Sequence, residues 1–175
     1  MPRSSENIER LIAELESDLL DLTEVENRYH RASARIDTGA SDELDWSALG
    51  YTIHNVYGVI QSYCLRIAKF FENSLHPTSW HRDLLGRMTL DIRGVRPALF
   101  VRGEIEPIEE LRAFRHVFRN LYARRLDPAK VEAARRHVAR ALAVVRSSHA
   151  PFCEVLRKIA ETSEAPADLD RSAAP

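Results

Sequence analysis

Residues 49–71 read LGYTIHNVYGVIQSYCLRIAKFF, and their periodicity decides the fold. Leu49, Ile53, Val56, Tyr57, Ile60, Tyr63, Cys64, Ile67, Phe70 and Phe71 recur at steps of three and four, the spacing that puts side chains on one face of a helix with 3.6 residues per turn. A face this long and apolar predicts a core helix. Asp42 or Asp45 stands where a side-chain oxygen can cap its first turn. His76-Pro77 ends it, because the residue before a proline is pushed out of the α region.

Working outward, the same pattern recurs on both sides. Ile8, Leu11, Ile12, Leu15, Leu19, Leu22 and Val25 predict a first helix that starts at a Ser4 or Ser5 cap and runs to about Ile36, where Thr38-Gly39-Ala40-Ser41 breaks it. Downstream, a short helix from Trp80 to about Leu90 is capped by Thr78 or Ser79. Residues 91–97 form a loop, since alternation there is brief and Pro97 intervenes. A fourth helix runs from Pro107 to Arg124. Asp127 caps a fifth and Pro128 takes its first position; it continues through Val131, Val138, Leu142 and Val145, is interrupted at Ser147 to Pro151, and resumes from Phe152 to Ile159. Residues 163–175, rich in Pro, Ala and Asp, form a disordered tail with nothing to bury. The expected fold is all-α, an antiparallel bundle of four to five helices with short connections. Residues 1–162 are expected to form a single domain.

The 175-residue chain, 45% hydrophobic, carries enough apolar side chains for a sizeable core. Cys64 and Cys153 lie in helical apolar patterns without metal-ligand spacing and read as small core residues. No apolar run approaches the length of a membrane span, and the N-terminus lacks the hydrophobic segment of a signal peptide. The sequence therefore suggests a soluble protein in a reducing cytoplasm.

A net charge of -1 conceals strong polarity. Residues 1–45 hold twelve acids and five bases, whereas residues 112–146 hold ten Lys and Arg against two acids. The basic half is sharpest at residues 112–127, RAFRHVFRNLYARRLD. With Arg112 at zero and about 100° per residue, Arg119, Arg115 and His116 fall within roughly 60° of it, while Phe114, Val117, Phe118 and Leu121 fall on the opposite side. One side of this helix is core and the other a basic strip. Clustered guanidiniums repel one another, so either an anion or neighbouring carboxylates must offset the cost; phosphate is the anion that the arginine fork suits best. The competing reading pairs these arginines with Glu14, Glu16, Asp18 and Asp21 of the first helix.

His116, at the centre of the strip, can act as a general base. Asn120 and Tyr122 border the strip on opposite sides. His54 flanks the apolar face of the second helix and reads as a histidine satisfied by a backbone carbonyl. His76 and His81 lack the supporting ligands a metal needs, and no cofactor motif is present. Trp80-His81 plugs the short helix into the bundle. Glu106, Glu109 and Glu110 fall in the first turn of the fourth helix, where carboxylates suit the helix dipole. No aromatic ladder interleaves the arginines, which argues against single-strand base stacking.

Two segments together resemble the HepT-like family of the HEPN superfamily, small helical proteins of toxin-antitoxin operons. One is Trp80-His81-Arg82-Asp83-Leu84-Leu85 through Met88 to Gly94-Val95-Arg96-Pro97-Ala98; the other is Phe114 to Tyr122, with Asp127 after it. The family's motif is R-x4-H-x-Y. Arg115 matches its arginine, His116 the polar residue that follows, and Tyr122 its tyrosine; Asn120 stands where the family has histidine. The resemblance implies a metal-independent endoribonuclease in which the motif residues, here Arg115, His116, Asn120 and Tyr122, carry the chemistry and Arg112, Arg115 and Arg119 hold RNA, whether tRNA or mRNA. It also implies a homodimer with the two motifs across a cleft, and an MNT-type nucleotidyltransferase antitoxin as partner. That partner transfers AMP to the motif tyrosine, here Tyr122. An asparagine cannot exchange a proton in the working pH range. Either His116 has taken over that role, or the chain binds without cutting.

Overall fold

A computed structural model describes residues 4–39, 41–71, 80–120 and 125–164. Among the described residues, five α-helices, in order α1 (Ser5–Asp37), α2 (Glu43–Phe71), α3 (Trp80–Met88), α4 (Glu106–Arg119) and α5 (Pro128–Glu164), pack into an all-α bundle, with one turn of 3-10 helix at Arg102–Glu104 before α4. The described residues contain no strand; the only β-type contact there is an isolated bridge between Ile92 and Arg96.

Local chemistry accounts for the boundaries. The Ser4 side chain accepts a hydrogen bond from the Asn7 backbone N–H and opens α1. Asp42, not Asp45, caps α2: its Oδ1 accepts from the Asp45 N–H at 2.8 Å. Asp127 accepts from the Ala129 N–H at 2.9 Å ahead of Pro128 at the start of α5. In α2, every residue of the expected face is buried except Phe70, which is half-buried. That face is the centre of the core and meets Ile8, Leu11, Leu15 and Leu22 of α1 and Val138, Leu142 and Val145 of α5. The hydroxyl of Tyr63 shares a hydrogen bond with His149 Nδ1 at 2.9 Å, joining α2 to α5 inside this core.

Two expectations need correction. The interruption at Ser147 to Pro151 is absent, and α5 runs unbroken through Pro151 for 37 residues. Proline lacks the N–H that would bond the Ser147 carbonyl, but Val145, Phe152, Cys153, Leu156 and Ala160 are all buried, so the apolar face keeps helical register across it. Burial on both sides outweighs one missing hydrogen bond. The short helix α3 ends at Met88 rather than Leu90.

After α3 the chain is held by Arg96, which is 2% exposed. Its guanidinium donates to the carbonyls of Arg87 at 2.8 Å, Leu90 at 3.1 Å and Pro97 at 3.2 Å. The guanidinium thereby ties the last turn of α3 to the loop that follows it. Gly94, at φ 71°, supplies the left-handed turn between the bridged residues.

Candidate nucleic-acid interface

Among the described residues, Glu9, Glu14, Glu16, Asp18, Glu26 and Asp37 of α1 pair with bases of α2 or α5, and none with α4. Arg66 of α2 grips Asp18 in bidentate fashion, Nε to Oδ2 at 2.8 Å and Nη2 to Oδ1 at 2.9 Å, and reaches Glu14 at 3.0 Å. Arg157 of α5 lies 3.7 Å from Glu16 and Arg135 of α5 lies 2.5 Å from Asp37. Arg146 pairs with Glu26, which holds that carboxyl below its ordinary range. At the start of α4, Glu106 faces Arg140 at 2.8 Å and His137 at 3.5 Å, both from α5. That glutamate is therefore an interhelical partner as well as a first-turn charge.

Among the described residues, Arg112, Arg115 and Arg119 form no ion pair, and none of the acids proposed as their partners reaches them. The polarity of the chain thus resolves into two parts. Bases on α2 and α5 pair with acids of α1, whereas those on the α4 strip have no carboxylate partner among the described residues.

The strip lies against α2 through a specific register. Gly50, His54 and Gly58 are spaced four apart on α2 and meet successive parts of α4. A Cβ at Gly58 would sit 3.0 Å from Arg115 Nη1, and one at Gly50 would sit 3.1 Å from Phe118 Cε2 and 2.6 Å from Leu126 Cδ2. The His54 ring packs on Phe118 with centroids 5.1 Å apart. One turn on, the Arg115 guanidinium carbon lies 5.8 Å from the centre of the Tyr57 ring, within the range of a cation–π contact. Close approach of backbone to side chain is what the two glycines permit.

The electrostatics follow from this packing. Arg115 is half-buried, and burial followed by repulsion from Arg119 lowers its pKa from the ordinary arginine value. His54 is pushed below 6.5, first by burial and then by Arg115 and Arg119. Its Nδ1 is enclosed with no hydrogen-bond partner, which corrects the reading of a histidine satisfied by a carbonyl. Burial pushes the Tyr57 hydroxyl far up, against a smaller opposite pull from Arg112 and Arg115.

The remaining motif residues divide. His116 is exposed on α4. The helix stops at Arg119, short of the expected Arg124, and Asn120 is its C-cap at φ -99°. The Asn120 Nδ2 donates to the His116 carbonyl at 2.8 Å, so this amide closes the last turn instead of bordering the strip from within the helix. Val117, expected on the core side, is 36% exposed in that same last turn. Leu121, Tyr122, His76 and the side chains of Trp80 and His81 lie outside the described residues.

Sequence reading missed His54 as a member of this constellation. The available signal was the pair of glycines four residues to either side of it, inside a helix where glycine is costly. Among the described residues, no group of three or more His, Cys, Asp or Glu side chains could hold a metal ion, and no helix is long and apolar enough to cross a membrane.

Residues 48–156 match a family model described as HepT-like protein. The matched span takes in nearly all of α2, all of α4 and most of α5, and so contains the whole α2–α4 contact. No curated protein and no solved structure matches the chain.

Proposed function

Because the chain belongs to the HepT-like family, we propose that it is a toxin component that holds RNA along α4 and cleaves it without a metal. The observation that carries this reading is the set of three arginines on one helix that, among the described residues, no carboxylate neutralises, while Asp18, Glu26 and Asp37 of α1 pair with arginines of other helices. Arg112, Arg115 and Arg119 contact backbone phosphates. Arg115 stabilises charge at the reacting phosphate, and His116 or Asn120 assists attack of the ribose 2′-hydroxyl. In a homodimer, two such strips flank one cleft. An MNT-type nucleotidyltransferase partner silences the protein by transferring AMP to Tyr122, whose added phosphate then competes for the same guanidiniums. The cytoplasm is the compartment that suits an RNA target and two unpaired thiols.

Purified protein incubated with total RNA or tRNA, beside an Arg115→Ala control, tests the cleavage. Loss of cutting in the variant supports it; equal degradation by both, or none by either, removes it. Co-expression with an MNT-type nucleotidyltransferase, followed by intact-mass analysis, tests the modification: added AMP units absent from Tyr122→Phe support it.

One observation favours a second reading. The Asn120 amide is committed to the His116 carbonyl at the helix end, and no proton-exchanging group stands at that position. A non-catalytic subunit that uses α4 to dock a nucleotidyltransferase or bind a nucleotide fits this equally well. Asn120→His separates the two: gain of RNA cutting favours an otherwise intact nuclease cleft, and no gain favours the binding subunit.

A further inference from the structure

The histidine pressed against Phe118 belongs to neither motif segment. The structure assigns His54 to the anion site: its Nε2 joins the guanidiniums of Arg115 and Arg119 around a single backbone phosphate, so that α2 and α4 together build the site. This inference rests on the reading of α4 as a phosphate-binding strip and adds to it a contributor from a second helix.

Three observations carry it. First, the ring is placed by the Gly50-His54-Gly58 register, which sets it on Phe118 at 5.1 Å and sets the Arg115 guanidinium over the next turn of the same α2 face. Second, Nδ1 is enclosed without a partner, so any exchange with a ligand passes through Nε2. An enclosed N–H left unpaired is costly. The tautomer with hydrogen on Nε2 leaves only a lone pair enclosed, and it presents a donor outward. Third, the charged groups acting on the ring are Arg115 and Arg119, both on α4, and both are cationic. Arg115 and Arg119 also repel each other. A neutral donor beside two cations is an arrangement that a phosphate completes: it accepts from all three and removes the repulsion.

Linkage gives the inference a measurable consequence. In the free protein, burial and two guanidiniums hold the imidazole neutral below its ordinary pKa. A bound phosphate offsets part of that positive charge and accepts from the ring, which raises that pKa. Binding therefore takes up a proton at His54, and affinity rises as pH falls from 8 to 6.

The probe is a 2′-O-methyl RNA dodecamer, which cannot be cleaved by its own 2′-oxygen. The His54 ring signals of the wild-type protein, assigned with His54→Gln, are titrated by NMR with and without this probe. An upward shift of the His54 midpoint on binding is expected; an unchanged midpoint overturns the inference. Fluorescence anisotropy adds a second readout. His54→Leu, which has no donor, should bind the probe about fivefold more weakly at pH 7, as expected for one lost hydrogen bond of about 1 kcal/mol, and should show a shallower rise in affinity toward pH 6 than wild type. Wild-type affinity and slope in this variant overturn the inference. Arg115→Ala distinguishes the two levels: if it binds like wild type, the phosphate strip itself falls, whereas if it loses binding and His54→Leu does not, only the role of His54 falls. Since the NMR titration uses the wild-type protein, the inference is decided even if the variant folds poorly.

Discussion

Arg115 Nη1 lies 3.0 Å from where a Cβ on Gly58 would stand, so the missing side chain of one helix is the seat of a guanidinium from another. The contact is with the far end of a flexible side chain, which can yield. Gly58→Ala should therefore keep the gain of about 0.5–1 kcal/mol that alanine gives in a helix and raise Tm by roughly 1–4 °C for a chain of this size. Its cost should appear in binding: a displaced Arg115 should hold RNA several-fold more weakly. A variant with unchanged Tm and full RNA affinity would show that the seat is not required.

Gly50→Ala should behave in the opposite way. Its Cβ would meet Leu126 Cδ2 at 2.6 Å and Phe118 Cε2 at 3.1 Å, and both are partly buried rings or branches packed on the core. Overpacking of this kind typically costs about 1–3 kcal/mol, more than the helix propensity returns. Thermal denaturation of the two alanine variants side by side checks the contrast.

The Arg66–Asp18 pair is the strongest test of how α1 is fastened. Asp18 is 6% exposed, and Arg66→Ala would leave it enclosed without its bidentate partner. A loss of about 1–3 kcal/mol is expected by urea denaturation, with part of it recovered in Asp18→Asn/Arg66→Ala, where no buried charge remains. Additive losses in the double variant would contradict the pairing.

Stability should fall on mild acidification. His54 and His149 are both depressed below 6.5, burial being the first cause in each. As pH falls through about 6.5 the unfolded chain takes up protons that the folded chain does not, so stability is full above that value and declines below it, down to the folded-state values. Glu26 and Asp45 are lowered from 4.5 and 3.8 by Arg146 and Arg35, and their contributions are lost only in a more acidic window. Between pH 7 and 5 the slope belongs to the histidines. Tm measured across that range should drop in wild type and drop less in His54→Gln/His149→Gln.

Pro151 offers a stabilising substitution. It is exposed within a continuous α5, and Pro151→Ala restores an N–H to the ladder. A gain of about 1–3 kcal/mol is expected, read as a higher urea midpoint with an unchanged m-value.

The α1 start and the buried face of α2 were legible because period and capping chemistry agree there: Ser4 caps, and steps of three and four continue without a breaker. At Pro151 a local rule and the wider pattern conflict, and the pattern prevails because burial on both sides of the proline holds the helix together. The arginines of α4 were legible as a strip, but their lack of partners was not, since ion pairing depends on which helices become neighbours. The same reason hid His54. Its helix gave no sign that Phe118 and Arg115 would lie across it, other than two glycines in an otherwise apolar run. Asn120 was placed in the helix interior by periodicity alone, which carries no information about where a helix stops.

Arg96 makes the end of α3 and the turn after it a single cooperative unit. Three carbonyls, those of Arg87, Leu90 and Pro97, share one guanidinium. None of these bonds can be lost singly by a small movement of the chain without also exposing or stranding a buried cation. Backbone amides from Met88 to Leu99 should therefore exchange with solvent together, in one opening event, rather than fraying residue by residue from the helix end.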